Sequence, residues 1–161
     1  YSLGFPVWNK TNYKLPTATC PLQTAYYQMK TPIQIRFSDV DMARHVHNAV
    51  YLHWFELARM ALLREVVPPV NDWRTEGLIL AHNEIDYARP VHLNDTIEAE
   101  AWCSKVGTKS FEISYAIHRI DNHAGICATG KCVMVSFNYV VNATIALPND
   151  WRVALEKIVR K

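Results

Sequence analysis

The segment 38–51 brings together ionisable side chains of the kinds that perform acid–base and nucleophilic chemistry. Asp39, Asp41, His45 and His47 all fall within nine residues of one another. A carboxylate can take a proton from water or attack a carbonyl carbon, and an imidazole can pass a proton to a leaving group. This concentration of groups predicts that the segment forms the active site.

A long apolar helix is predicted to follow this segment. Asn48 is a suitable N-cap, because its side-chain oxygen can accept a hydrogen bond from a backbone N–H one turn on. A helix that is apolar on nearly all sides belongs in a core. Its first turn leaves N–H groups unpaired at the positive end of the helix dipole, where a developing oxyanion can be held. The apolar positions that predict the helix are Val50, Leu52, Trp54, Phe55, Leu57, Ala58, Met60, Ala61, Leu62 and Leu63.

Three patterns in the chain resemble hot-dog-fold acyl thioesterases of the 4-hydroxybenzoyl-CoA thioesterase type, with a likeness to acyl-ACP thioesterases. Residues 39–51 match Asp-x-Asp-x-x-x-His-Val-x-Asn-x-x-Tyr, and residues 55–59 are similar to the family's Phe-Glu-x-x-Arg. Residues 87–95 look like its Tyr-x-x-Pro-x-x-x-x-Asp strand and turn. The likeness extends over about residues 31–155.

The resemblance implies an α+β hot-dog fold, an antiparallel sheet of about five strands wrapped around one long central helix. It implies an enzyme that hydrolyses an acyl thioester, with acyl-CoA favoured over acyl-ACP as the small-molecule substrate. CoA or the phosphopantetheine of ACP would then be part of the substrate, and no separate cofactor is expected. Sites of this family form between subunits, so a homodimer or homotetramer is expected.

Five positions depart from the family's patterns. Arg44 stands where Gly is common, His47 where Asn is common, and Ala43 where acyl-ACP enzymes carry a catalytic Asn. Pro90 and Val91 stand where those enzymes use Glu or Cys. These departures keep two alternatives open, a non-catalytic acyl-thioester binding module and a hot-dog dehydratase or hydratase.

Roles can be assigned to individual residues on the thioesterase hypothesis. Asp41 is predicted to be the catalytic carboxylate, acting as general base on water or as nucleophile on the carbonyl. Asn48 is predicted to polarise the thioester oxygen through its backbone N–H, and His45 either orients Asp41 or water, protonates the thiolate, or is a plain loop residue. Asp39 is predicted to order the loop. Arg44 is expected to point outward, with an inward orientation toward an acidic acyl group or a phosphate as the alternative.

Composition limits the other possibilities. Of the 161 residues half are apolar, and the formal net charge is +2, which argues against a broad nucleic-acid surface. No apolar run reaches the roughly 18 residues of a membrane span. We therefore expect an irregular extension over residues 1–30 and a single domain over residues 31–161, in a soluble cytoplasmic protein. Four scattered cysteines predict reduced thiols, and no metal site is expected because His45-x-His47 lacks a third ligand at recognised spacing.

Period-two alternation predicts the strands. The clearest case is 110–120, where Phe111, Ile113, Tyr115 and Ile117 alternate with more polar neighbours. A terminal helix is predicted over residues 150–160, and Glu56 and Arg59 are predicted to pair on the central helix. The predicted strands are 33–38, 78–87, 96–106, 110–120 and 126–140.

Overall fold

The computed structural model describes residues 29–67 and 71–160, which form one antiparallel sheet and two helices. Neighbouring strands follow the order β1-β3-β4-β5-β2, and the short β6 pairs with β5. Neither helix in these residues has the length and apolarity to cross a membrane. The elements are β1 (Met29–Ile33), a 3₁₀ turn (Phe37–Asp39), α1 (Val50–Val66), β2 (Glu76–Tyr87), β3 (Ile97–Val106), β4 (Ser110–Arg119), β5 (Gly125–Asn138), β6 (Ala143–Thr144) and α2 (Asn149–Ile158).

The predicted arrangement of a sheet wrapped around one long helix is confirmed. Successive residues of a strand point to opposite faces, so Phe111, Ile113, Tyr115 and Ile117 of β4 share one face, and all four are buried. Phe55 of α1 stacks on Tyr115 of β4, with ring centroids 4.4 Å apart and planes 9° from parallel. Both rings are fully buried, and burial of a large apolar side chain stabilises a fold by about 1.5–3 kcal/mol.

Helix α1 is buried on one side only, which corrects the expectation of a helix enclosed all round. It packs on β1, β3 and β4, and eight of its residues are buried. Leu52, Leu57 and Met60 lie on the other side and remain exposed. Arg59 is buried beside the Tyr115 hydroxyl, and its Nη2 lies 3.8 Å from Glu56 Oε1, as the predicted pair requires.

The first strand ends earlier than predicted. Strand β1 stops at Ile33, and Phe37 is 86% exposed rather than buried in a continuing strand. The cause is the 3₁₀ turn, because Asp39 Oδ2 accepts a hydrogen bond from the backbone N–H of Arg36 at 2.8 Å and turns the chain. Met29 and Lys30, assigned above to the extension, belong to β1, and residues 1–28 lie outside the described residues.

Three cysteine side chains are free and buried in the strands, in agreement with the predicted reduced thiols. Burial raises the pKa of the Cys103 thiol to about 11. Cys127 and Cys132 are also fully buried, and burial raises the pKa of each thiol. Cys20 lies outside the described residues.

Candidate active site

Asp41 lies in a tight, exposed loop between the 3₁₀ turn and α1. Its Oδ1 accepts a hydrogen bond from the backbone N–H of Ala43 at 2.8 Å, and its own N–H donates to the carbonyl of His45 at 2.9 Å. Oδ2 has no hydrogen-bond partner within residues 29–67 and 71–160. One carboxylate oxygen is thus held by the loop, and the other is open to water or substrate.

Arg44 makes the loop turn. Its backbone N–H donates to the carbonyl of Asp41 at 2.9 Å, and its φ of 64° lies in the left-handed region that glycine adopts most easily. The same backbone conformation explains why glycine is common at this position in the family. The Arg44 side chain is exposed and forms no ion pair with Asp41, which agrees with the outward orientation.

Asp39 orders the base of this loop, as predicted. Besides its bond to Arg36, its carbonyl accepts a hydrogen bond from the N–H of His47 at 2.8 Å. Val40 and Val46 form an antiparallel bridge, which closes the loop around Asp41. The backbone of the loop is therefore fixed at both ends.

The start of α1 differs from the prediction. The N-cap position is Ala49, and the Asn48 side chain makes no capping hydrogen bond. Instead His47 Nδ1 accepts from the N–H of Ala49 at 3.3 Å, and the carbonyl of His47 accepts from Val50 at 3.0 Å. These two bonds satisfy the N–H groups of Ala49 and Val50 without help from the Asn48 side chain. The N–H of Asn48 has no acceptor in the described part of the chain.

A cleft of about 270 Å³ opens beside the N-terminal end of α1. Polar groups come from Asn48, Tyr87 and Arg89, while the rest of the wall is mainly apolar. The Tyr87 hydroxyl donates to the carbonyl of Asn48 at 3.0 Å, which ties the end of β2 to the start of α1. The lining residues are Val46, Asn48, Tyr51, Tyr87, Ala88, Arg89 and Pro90.

The tyrosines of the cleft stay protonated over the neutral range. Burial raises the pKa of Tyr51 to about 12, although a hydrogen bond from the backbone of Val91 partly opposes the shift. Burial also raises the pKa of Tyr87. The two rings meet edge to face with centroids 5.2 Å apart. Tyr87 is therefore a hydrogen-bond donor throughout the neutral range.

The loop after β2 forms the opposite side of the site. The N–H of Val46 donates to the carbonyl of Val91 at 2.8 Å, and the imidazoles of His45 and His92 lie edge to face at 5.0 Å. Asp95 holds this loop because its carboxylate accepts from the N–H of His92 at 2.8 Å and pairs with Arg119. The His45 side chain therefore packs on His92 and is not hydrogen-bonded to Asp41.

The structure gathers part of the predicted site. Asn48 lies in the cleft wall, while Asp41 and His45 lie in the loop that leads to it and do not line it. Sequence reasoning missed Tyr87 and Arg89 as cleft residues, although the Tyr-x-x-Pro pattern at the end of β2 was a signal that could have found them. Within the described residues, no three His, Cys, Asp or Glu side chains are arranged to hold a metal ion.

An antiparallel sheet wrapped around one long helix, with a cleft at the start of that helix, defines the hot-dog class. The sequence profile of the Thioesterase-like superfamily matches residues 35–155. The chain therefore belongs to this superfamily, and the expectation of a hot-dog thioester hydrolase is confirmed.

Named relatives and a solved structure agree with this assignment. The long-chain acyl-CoA thioesterase FadM of Escherichia coli is 26% identical over 135 residues, which cover 82% of this chain and 100% of that protein. A 1,4-dihydroxy-2-naphthoyl-CoA hydrolase of Synechococcus elongatus is 30% identical over 124 residues, covering 73% and 89%. A Thermus thermophilus thioesterase, solved in complex with coenzyme A and zinc, is 25% identical with a TM-score of 0.69, covering 80% and 92%.

Proposed function

We propose that this protein hydrolyses acyl-CoA thioesters at the N-terminal end of α1, with Asp41 as the catalytic carboxylate. The observation that supports the proposal most directly is the geometry of Asp41, which keeps one carboxylate oxygen free in a fixed loop beside the cleft. Two relatives with different acyl groups both act on CoA esters, so CoA is the carrier that they share.

The chemistry needs few protein groups because a thioester carbonyl is electrophilic and thiolate leaves readily. As general base, Asp41 takes a proton from water while the water oxygen bonds to the carbonyl carbon. The carbon–sulfur bond then breaks, the thiolate is protonated, and a carboxylic acid and free CoA are released. As nucleophile, Asp41 forms a mixed anhydride and expels the thiol, and water then cleaves the anhydride.

The unpaired N–H of Asn48 is the proposed oxyanion donor. It has no acceptor among the described residues, it opens the turn that leads into α1, and it lies at the positive end of the helix dipole. Tyr87 fixes the Asn48 carbonyl, so the backbone is held in place before the negative charge develops. His45 is the proposed proton donor to the leaving thiolate, because its exposed ring lies in the same loop as Asp41.

The proposal is tested by release of free thiol from acyl-CoAs of different chain length, with Asp41→Asn beside the parent. We expect Asp41→Asn to lower kcat by at least about 10²-fold, the lower scale for a positioned acid–base group. Asp39→Asn is the matched control, because that carboxylate orders the loop through its hydrogen bond with the N–H of Arg36. Its kcat should fall by less than the kcat of Asp41→Asn. A folded Asp41→Asn variant with full turnover would remove Asp41 from the mechanism, and binding without thiol release in the parent would favour a binding module.

A further inference from the structure

Arg89 is a cation in the cleft wall that no described carboxylate neutralises. Its exposed side chain lines the cleft together with Asn48. It forms no ion pair and no side-chain hydrogen bond with residues 29–67 or 71–160. The carboxylate of its own loop, Asp95, is already paired with Arg119. The positive charge of Arg89, a residue of the cleft wall, thus has no counterion among these residues.

The fold fixes the backbone from which this guanidinium extends. The backbone N–H groups of Ala88 and Arg89 both donate to the carbonyl of Cys127, at 2.8 and 3.0 Å. The guanidinium lies over Gly125, where a Cβ would come within 2.5 Å of Arg89 Nη1. Gly125 also has a φ of +153°, which side-chain-bearing residues rarely adopt. The missing side chain at Gly125 therefore provides the space in which the guanidinium lies.

We propose that Arg89, seated on Gly125, is an anion-binding residue of the cleft and that it takes an anionic group of the substrate; this proposal rests on the proposed hydrolysis of acyl-CoA. A guanidinium offers a planar set of donors that fits a carboxylate or a phosphate in two parallel hydrogen bonds. The anion can come from a phosphate of CoA or from a carboxylate on the acyl group. Either source makes Arg89 a determinant of specificity rather than a participant in bond breaking.

Binding of uncleavable thioethers tests the proposal independently of hydrolysis. Four ligands form the comparison: hexyl-CoA, carboxypentyl-CoA, hexyl-pantetheine and carboxypentyl-pantetheine. Hexyl-pantetheine carries neither a phosphate nor a carboxylate and is the reference. Relative to that reference, we expect Arg89→Gln to raise Kd, measured by calorimetry, about tenfold for the ligands that carry the anion bound by Arg89. Arg89→Lys should retain part of the selectivity. Arg74→Gln is the control, because Arg74 is exposed just before the opposite end of β2 and pairs with Asp72.

Each pattern of affinities has a defined meaning. Weaker binding of both CoA ligands identifies a phosphate as the anion, and weaker binding of both carboxylated ligands identifies the acyl group. A uniform change across the four ligands, no change in any, or no binding by the parent overturns the proposal. If the parent binds the thioethers but releases no thiol from acyl-CoA, the proposed hydrolysis fails while the contrast in Kd still reports on Arg89.

A second variant tests whether the space above Gly125 is needed for the Arg89 guanidinium. Gly125→Ala leaves Arg89 in the chain but places a methyl group where Nη1 lies. We expect the same selective loss of binding as in Arg89→Gln, about tenfold, and no further selective loss when both changes are combined. Additive effects of the two changes on the selectivity would contradict the proposal that Gly125 acts by making room for the Arg89 guanidinium. Thermal unfolding of each variant checks the fold, and the Arg89 variants alone decide the question if Gly125→Ala does not fold.

Discussion

The hydroxyl of Tyr87 fixes the residue that leads into α1, and its removal tests how far the proposed oxyanion donor, the N–H of Asn48, depends on that support. Tyr87→Phe deletes one hydrogen bond to the Asn48 carbonyl and keeps the ring contact with Tyr51. Such a bond contributes about 1 kcal/mol, so we expect kcat to fall about fivefold with a smaller change in KM. Steady-state hydrolysis of a saturated acyl-CoA measures both constants.

A matched control is available at the opposite end of β2, where another tyrosine hydroxyl binds a backbone carbonyl of that strand. Tyr139 donates to the carbonyl of Leu78 at 3.2 Å, and like Tyr87 it is roughly half exposed. Tyr139→Phe removes an equivalent hydrogen bond away from the cleft, so kcat should stay near the parent value. Equal losses in the two variants would show that a general loss of stability, and not support of Asn48, explains the effect.

The buried thiols give a second prediction for single residues. The pKa of Cys103 is raised to about 11, so its thiolate, the reactive form, is scarcer at pH 8 than that of an ordinary cysteine. Burial adds a steric barrier at Cys103, Cys127 and Cys132. We expect iodoacetamide at pH 8 to leave these three unmodified in the native protein and to modify them in urea, as peptide mass spectrometry would show. Rapid native modification of Cys103 would contradict its burial.

The candidate residues that lie in one segment could be named from sequence, and those that folding brings to the cleft could not. Asp41, His45 and Asn48 lie within eight residues, so their types and spacing were visible directly. Tyr87 is 39 residues from Asn48, and the contact depends on how β2 runs along β5. The cap at Ala49 was missed because His47 supplies the acceptor, and histidine is not among the usual capping residues.

Among the elements, β5 depends on a glycine where it passes under α1. A Cβ on Gly130 would lie 2.5 Å from both the Glu84 carbonyl oxygen and Phe55 Cε2. The carbonyl belongs to the neighbouring strand and cannot move without disturbing the sheet. Overpacking costs about 1–3 kcal/mol or more, which exceeds the gain of roughly 0.4–1 kcal/mol from a stiffer unfolded chain. We expect Gly130→Ala to lower the free energy of unfolding by about 2 kcal/mol in urea titrations.

Gly77 provides the comparison within the sheet. A Cβ there would meet the side chains of Tyr139 and Trp73 at 2.9 and 3.1 Å, and side chains can turn aside more easily than a backbone carbonyl. Gly77→Ala should therefore change the free energy of unfolding by less than about 1 kcal/mol. A larger loss at Gly77 than at Gly130 would show that the backbone contact is not the limiting one.

Elements with a regular pattern could be predicted from sequence, whereas interruptions set by single hydrogen bonds could not. The alternation of β4 gave its extent to within one residue, Ser110–Arg119 against a predicted 110–120. A similar alternation wrongly predicted that the first strand continues through Ile35 and Phe37. It ends earlier because the Asp39 carboxylate accepts a hydrogen bond from the N–H of Arg36 and turns the chain. Strand β6 is only two residues long and has no pattern to recognise.

The whole molecule leaves apolar surface uncovered in a way that favours association. Leu52, Leu57 and Met60 form an exposed apolar side of α1, and each is at least 40% exposed. Strand β2 is twelve residues long and has no partner strand on its outer edge in the described chain. Exposed apolar patches and unpaired strand edges are both features that partner subunits cover. The cleft lies at the end of β2, so a partner that pairs with this strand would stand next to the site.

We therefore expect a dimer or a larger even-numbered assembly in sedimentation experiments at micromolar concentration. Leu57→Asp should shift the protein toward the monomer without unfolding it, because Leu57 is 53% exposed and a charge there opposes burial against a partner. Val140→Asp is the control, an apolar residue 73% exposed in the turn after β5. A parent that sediments only as a monomer, or equal behaviour of the two variants, would contradict association through α1. Loss of kcat in step with the loss of dimer would further indicate that the site is complete only in the assembly.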